Sequence, residues 1–366
     1  MATALTRGTF AHLVGLICAA CSAPATLREL QVAQTAERNG QHDQAVAAYR
    51  AAQVTCQQLH PKRRRDIACV QAALGEAELL DQDGKRDAAI AAYQKILAMP
   101  AANNPGAAAE VAPVGEPDAA MWARAGYRVG ALLLERGDAT AAYDAWWRVI
   151  TVLPNEPTAG DVVATLVRDA RVRNVEQLAV QLTELLTSLS ETDIADNILW
   201  ALADIAEHER HDPTLARSHY DRIYLDHPTS GMRDDARWHA ARLSRQLGDG
   251  TGAATRLRGL LRTREVAFGT GSYFSVWLDN AQLELGRVLR DDLHQGVNAA
   301  DAFAQLLDDY PASPLRDDAL FEVAITLHNN ADRNLRRRGC AAWARLQREF
   351  PDSKHLKRAA EVGPCP

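Results

Sequence analysis

The chain has 366 residues, with 41 basic and 47 acidic side chains and a formal net charge of −6. Hydrophobic residues at 47% and charged residues at 24% exclude wholesale disorder, and the negative balance argues against a dedicated nucleic-acid binder. Abundant alanine with only 6% aromatics points to closely packed helices rather than a large β-domain.

Residues 1–20 read as an export signal. Arg7 supplies the positive start, and Thr9 to Ala20 is an uncharged, mostly apolar run. That run is too short to span a bilayer, and no later segment is long and apolar enough to do so. The run ends in Cys18-Ala19-Ala20-Cys21, which resembles a bacterial lipobox and implies lipid on Cys21. The match departs from that family at Cys18, where leucine is usual. Ser22 follows the cysteine, and by resemblance to Gram-negative lipoproteins this implies an outer-membrane, periplasm-facing protein. Ordinary cleavage after Ala20, Ala23 or Ala25 is the alternative, giving a soluble periplasmic or secreted chain. An uncleaved or misplaced start is a third reading.

Four cysteines remain downstream, an even number suited to an oxidising compartment. Cys56 closes one expected helix and Cys69 opens the next, so a helical hairpin brings them together. Cys340 opens a helix and Cys365 follows a short returning one, so these ends also meet. The expectation is a Cys56–Cys69 and a Cys340–Cys365 disulfide, against free buried thiols. The spacing lacks the tight pairs of a zinc site.

From residue 26 onward, helices alternate with Gly, Asp, Asn and Pro turns at about 34 to 42 residues per helix pair. The clearest unit is Ala125 to Pro154. Gly130 is small on its first helix, Gly137-Asp138 turns the chain, and Ala142, Trp146 and Val149 form the stripe of the second. The same small-plus-aromatic plan recurs at Ala45/Tyr49, Ala89/Tyr93 and Ala216/Tyr220, and at Phe303 and Trp343. Small residues let helix axes approach, and the aromatic one turn on fills the gap between pairs. Residues 99–117 hold four prolines without apolar period and read as a linker or insertion. Residues 158–190 are helical but lack the pairing, and Phe268 to Tyr273 is a further irregularity.

At these residues the chain resembles tetratricopeptide (TPR) repeats. The segment Pro228-Thr-Ser230-Gly-Met-Arg-Asp-Asp-Ala236 is echoed at Pro311 to Ala319 and, more weakly, at Pro351 to Ala359. Each places a serine to cap a helix start, with Pro314 expected at a first helical position and aspartates favouring the positive helix end. This pattern resembles periplasmic TPR lipoproteins of the β-barrel-assembly and Tol–Pal accessory type. The expected fold is an all-α, right-handed TPR-like solenoid of about eight antiparallel helix pairs plus a C-terminal capping helix. The expected division is signal 1–20, N-terminal units 21–98, linker 99–117, main solenoid 118–362 and tail 363–366.

Chemistry is sparse. His208-Glu-Arg-His211-Asp212 has metal-like spacing but falls at a helix end, where polar residues are ordinary. Gly248-Asp-Gly250-Thr-Gly252 sits in an inter-helix turn without the strand a dinucleotide loop needs. Asp234-Asp235 and Asp317-Asp318 recur as helix starts. No nucleophile–base–orienter set stands out, so no catalytic residue, cofactor or metal is expected, and no nucleic-acid or small-molecule ligand. Lys62-Arg63-Arg64-Arg65 reads as a solvated turn or, beside a lipidated Cys21, as a contact for anionic headgroups. Arg336-Arg337-Arg338 reads as a solvated face. Repeat placement puts Arg242 and Arg245, then Arg287 and Arg290, on the face that first helices present, with Trp238 one turn from Arg242. These five could hold an acidic peptide, or form a solvated face neutralised by Asp235, Asp291 and Asp292. The expected function is non-catalytic partner binding in the cell envelope. One rival is a role in outer-membrane protein assembly or envelope division. The other is a superhelix attached to peptidoglycan-cleaving activity.

Overall fold

The computed structural model describes residues 25–58, 67–98, 117–262, 266–267, 271–272, 275–362 and 365. Cys21, the leader, the Lys62–Arg65 run and residues 99–116 of the linker therefore lie outside the described residues. The chain is an all-α solenoid of helical hairpins, and α5 begins at Pro117, inside the segment expected to be linker.

It divides into two compact units, one ending at Ala142 and the other beginning at Tyr143. The sequence gives no sign of this division, because the repeat spacing runs through it. The first unit holds α1 (Ala25–Arg38), α2 (His42–Gln58), α3 (Ile67–Gln82), α4 (Arg86–Ala98) and α5 (Pro117–Glu135). Helix α6 (Ala139–Val152) starts at its end. Within it each helix packs on the next, and α3 also touches α1 and α5.

The second unit continues with α7 (Pro157–Ala170), α8 (Val175–Leu189), α9 (Ile194–His208), α10 (Pro213–Asp226), α11 (Arg233–Gln246) and α12 (Gly250–Arg262). Helix α13 (Leu278–Arg287) runs into a π-helical turn (Val288–Asp292). Helices α14 (Gly296–Asp309), α15 (Arg316–Leu327) and α16 (Arg333–Glu349) follow, then a 3-10 turn (Lys354–Arg358) and α17 (Ala359–Val362). Between α12 and α13 lies a two-stranded antiparallel ladder, β1 (Val266–Ala267) with β2 (Gly271–Ser272). Of the irregularity expected at Phe268 to Tyr273, only Gly271 and Ser272 lie among the described residues, as β2, and the helical spacing did not foretell strands.

The hairpin turns follow one rule. Gly40, Gly84, Gly137 and Gly248 all have φ between 70° and 91°. At Gly40 its N–H donates to the Glu37 carbonyl and the next N–H reaches back to Ala36. This closes the last turn of the helix with a left-handed residue. The corresponding positions in two later pairs are His211 (φ 52°) and His294 (φ 54°). There the returning bond spans one residue more, from Asp212 to Ala206 and from Gln295 to Leu289.

Five residues beyond each such turn stands an alanine with no exposure: Ala45, Ala89, Ala142, Ala216, Ala253 and Ala299. Four residues on stands a buried large side chain: Tyr49, Tyr93, Trp146, Tyr220, Leu257 and Phe303. Leu257 is the member that a search for aromatics misses. The α7–α8 hairpin lacks this plan and uses a leucine stripe, Leu178, Leu182 and Leu186, capped by Asn174 accepting from the Gln177 N–H at 3.0 Å.

The serine segments differ from expectation in one detail. Ser230, Ser313 and Ser353 each accept from the N–H two residues on, at 3.0, 3.0 and 3.2 Å. The hydroxyl thus closes a short turn, and α11 and α15 start three residues after their serine. Pro314 lies in that turn, not at the first helical position.

The structure joins Cys56 to Cys69 and Cys340 to Cys365, with Cα separations of 5.8 and 5.5 Å.

Candidate functional site

The face shared by the first helices of successive pairs in the second unit, α9, α11, α13 and α15, carries the five residues singled out above. All four arginines are there, and each is engaged by carboxylates. Arg242 on α11 pairs with Glu207 on α9. Arg245 reaches Glu284 at 2.6 Å, Asp291 at 3.0 Å and Asp292 at 2.8 Å. Arg287 on α13 pairs with Glu322 of α15 at 3.2 Å and with Glu284 at 3.6 Å. Arg290 in the π-turn binds Asp291 at 2.7 Å, Glu322, and the Thr326 hydroxyl at 3.3 Å.

The result is a ladder of alternating sign that runs across four repeats. Its glutamates Glu207 and Glu322 are the more deeply set partners, 12% and 11% exposed against 44% for Arg242 and 35% for Arg287, whereas Asp291 is more exposed than Arg245 and Arg290. The π-turn has a specific effect here. It inserts one residue before the hairpin turn, so Arg290 reaches forward to α15 while Asp291 and Asp292 reach back to α11. Asp291 is held below its ordinary carboxylate range: burial pushes it up, and the Arg290 and Arg245 guanidiniums outweigh that.

Trp238 stands half-buried beside this ladder and stacks on Trp277, with ring centroids 5.0 Å apart and 12° between planes. The Trp277 indole N–H donates to Asp235. His355 occupies the corresponding place one pair beyond α15 and meets Asp318 at 2.8 Å, so Asp235 and Asp318 are cross-repeat anchors. Asp279 and Asp317 act likewise, accepting from the hydroxyls of Ser313 and Ser353 at 2.6 and 2.7 Å.

The face is therefore charge-patterned and nearly balanced, not a bare basic groove. Sequence reasoning named Asp291 and Asp292 but missed Glu207, Glu284 and Glu322. The available signal was spacing: Glu207 and Arg242 are separated by 35 residues, as are Arg287 and Glu322, which is one repeat.

His208 lies 3.0 Å from the Asp204 carboxylate, one helical turn away, and His211 occupies the left-handed turn position. Among the described residues, no cluster of three His, Cys, Asp or Glu side chains could hold a metal ion. Among the same residues, no helix is long and apolar enough to cross a membrane.

No protein-family model matches the chain, and no curated protein matches it. Among solved structures the chain is similar to PilW, described as a widely conserved type IV pilus biogenesis factor, at 16% identity and a TM-score of 0.38, over 65% of this chain and 98% of that one. It is similar to PilF of Pseudomonas aeruginosa at 13% identity and a TM-score of 0.29, over 79% of this chain and 93% of that one. The C-terminal part of a TPR repeat-containing protein from Cytophaga hutchinsonii aligns at 10% identity and a TM-score of 0.39, over 92% of this chain and 99% of that part.

Proposed function

We propose that this chain is a non-catalytic protein-binding scaffold of the bacterial cell envelope, exported by its leader and held by lipid on Cys21 at the outer membrane, facing the periplasm. The observation that carries the scaffold reading is the charge ladder on the first-helix face. Side chains of both signs, partly exposed and repeat-spaced, stand on rigid helices beside the Trp238–Trp277 stack. Such a surface suits a polypeptide partner, which can exchange one ion pair at a time along its length. Trp238, Arg242, Arg245, Arg287 and Arg290 are the residues that would meet it.

Two disulfides support export, since such bonds persist in oxidising compartments and are rare in the cytosol. In this reading Lys62, Arg63, Arg64 and Arg65 follow soon after the lipid-bearing cysteine and meet anionic headgroups.

The test is affinity purification of the full chain from membranes, with mass spectrometry of what co-purifies, for the wild type and for Arg242→Glu with Arg287→Glu. A partner lost in the folded double variant supports the reading. An identical partner set in both would refute the face. Intact-mass measurement decides the anchor: an unmodified N-terminus within residues 22–26 would reject lipidation.

A further inference from the structure

Charge along the chain is segregated. Residues 329–366 carry nine basic and four acidic side chains, whereas the chain as a whole has a net charge of −6. Most of that excess is on α16. Its three consecutive arginines do not act together. Arg336 donates to the Asn330 carbonyl at 3.0 Å. Arg338 turns to Asp301 at 2.5 Å and to the Ala300 carbonyl. Arg337 is exposed, as are Arg333 and Arg348.

At 100° per residue, positions 333, 337, 344 and 348 fall within about 60° of the helix circumference and span roughly 22 Å. Between the arginines, Ala341 and Ala344 are also exposed. Among the described residues Arg333 and Arg337 have no carboxylate at ion-pair distance, and Arg348 makes only a 3.4 Å contact with its neighbour Glu349 while its side chain stays 70% exposed. This contrasts with the first-helix face, where every arginine named above is neutralised.

We propose that the outer face of α16 is a docking surface for an acidic helix of a partner protein, with Arg333, Arg337 and Arg348 as its recognition residues. This deepens the scaffold reading by naming a second surface and the chemistry of its partner. Guanidiniums one turn apart at Arg333 and Arg337, with Arg348 about three turns further on, match carboxylates at the same spacing and bind them through paired N–H groups. Ala341 and Ala344 are small, so a helix can approach closely between the arginines, and Cys340, partly exposed and bonded to Cys365, borders the stripe on one side. An anionic membrane is the less suitable occupant: a face that inserts into lipid displays large apolar side chains, and none stands between these arginines.

The probe is a capped 22-residue Ala/Gln peptide with glutamates at i, i+4, i+11 and i+15. Its control is an isomer of identical composition with the glutamates spread around the helix. The full chain is titrated with each, and with vesicles of one part phosphatidylglycerol to three of phosphatidylcholine. The patterned peptide should bind at least tenfold tighter than the isomer, weaken as salt rises, and lose at least tenfold with R333E/R337E/R348E. The milder R333Q/R337Q/R348Q should lie between, and circular dichroism should show both variants folded. Equal binding of the two peptides overturns the proposal. So does vesicle binding that depends on these arginines while the patterned peptide fails. Peptide binding lost in R242E/R287E but kept in the α16 variant would also overturn it, by moving the acidic ligand to the first-helix face and leaving the scaffold reading intact.

Discussion

Gly286 on α13 lies under the ring of Phe303 on α14, so close that an added Cβ would sit 2.3 Å from Phe303 Cε1. In the preceding pair the corresponding residues are Ala241 and Leu257, both buried. One repeat uses no side chain against a large ring, and the one before it uses a methyl group against a smaller chain. Gly286→Ala is therefore expected to cost about 1–3 kcal/mol through overpacking. Adding Phe303→Leu should recover much of that loss, because it recreates the Ala241/Leu257 combination. A double-mutant cycle from urea denaturation gives the coupling, and additive losses would show that the two sites do not interact.

His211 and His294 occupy a left-handed turn position that four other hairpins fill with glycine. A side chain there costs about 1 kcal/mol relative to glycine. His211→Gly and His294→Gly should each raise the denaturation midpoint by that order, and a loss of stability in either would mean that the imidazole makes a compensating contact.

His219 on α10 is half-buried and its Nδ1 lacks a hydrogen-bond partner. Burial foremost, with Arg222 and Arg210 nearby, lowers its pKa to about 4. His239 is lowered in the same direction, by burial and Arg242, and it stacks on Tyr220. In the unfolded chain a histidine titrates near 6.5. Between that pH and about 4 the unfolded state binds more protons, so folding stability falls as pH drops through this window and is unaffected above it. NMR titration of His219 should give a midpoint near 4. A midpoint near 6.5 would contradict this, and His219→Gln should flatten the acid slope.

The C-terminal cap is held by several bonds at once. Ser353 donates to Asp317 at 2.7 Å and caps the His355 N–H. His355 stacks on Phe321 with centroids 4.4 Å apart, and Cys340 is bonded to Cys365. Removing the disulfide with C340S/C365S is expected to cost about 2–4 kcal/mol, and Ser353→Ala about 1 kcal/mol. Hydrogen exchange should quicken over residues 354–362 in both variants, with α9 and α10 unaffected. Unchanged exchange in the cap would show that apolar packing alone holds it.

The hairpins were legible in the sequence because their causes are local. A left-handed glycine, a proline and a serine each act within a few residues. At His211 and His294 the turns were expected but not the left-handed residue, since histidine rarely announces that conformation. The charge ladder was half-legible. Arg242, Arg245, Arg287 and Arg290 share a face by helical periodicity, but Glu207 and Glu322 become their partners only through contact between repeats. The β1–β2 ladder and the division after Ala142 leave no periodic mark at all.

Protein binding on the first-helix face is tested most directly by photo-crosslinking in cells. A crosslinking amino acid replaces Gln246, exposed on α11 one turn from Arg242, in one strain and Thr255, exposed on α12, in another. Discrete protein adducts from position 246 and none from 255 are expected. Adducts only from 255, or the same adducts from both, would contradict the assignment.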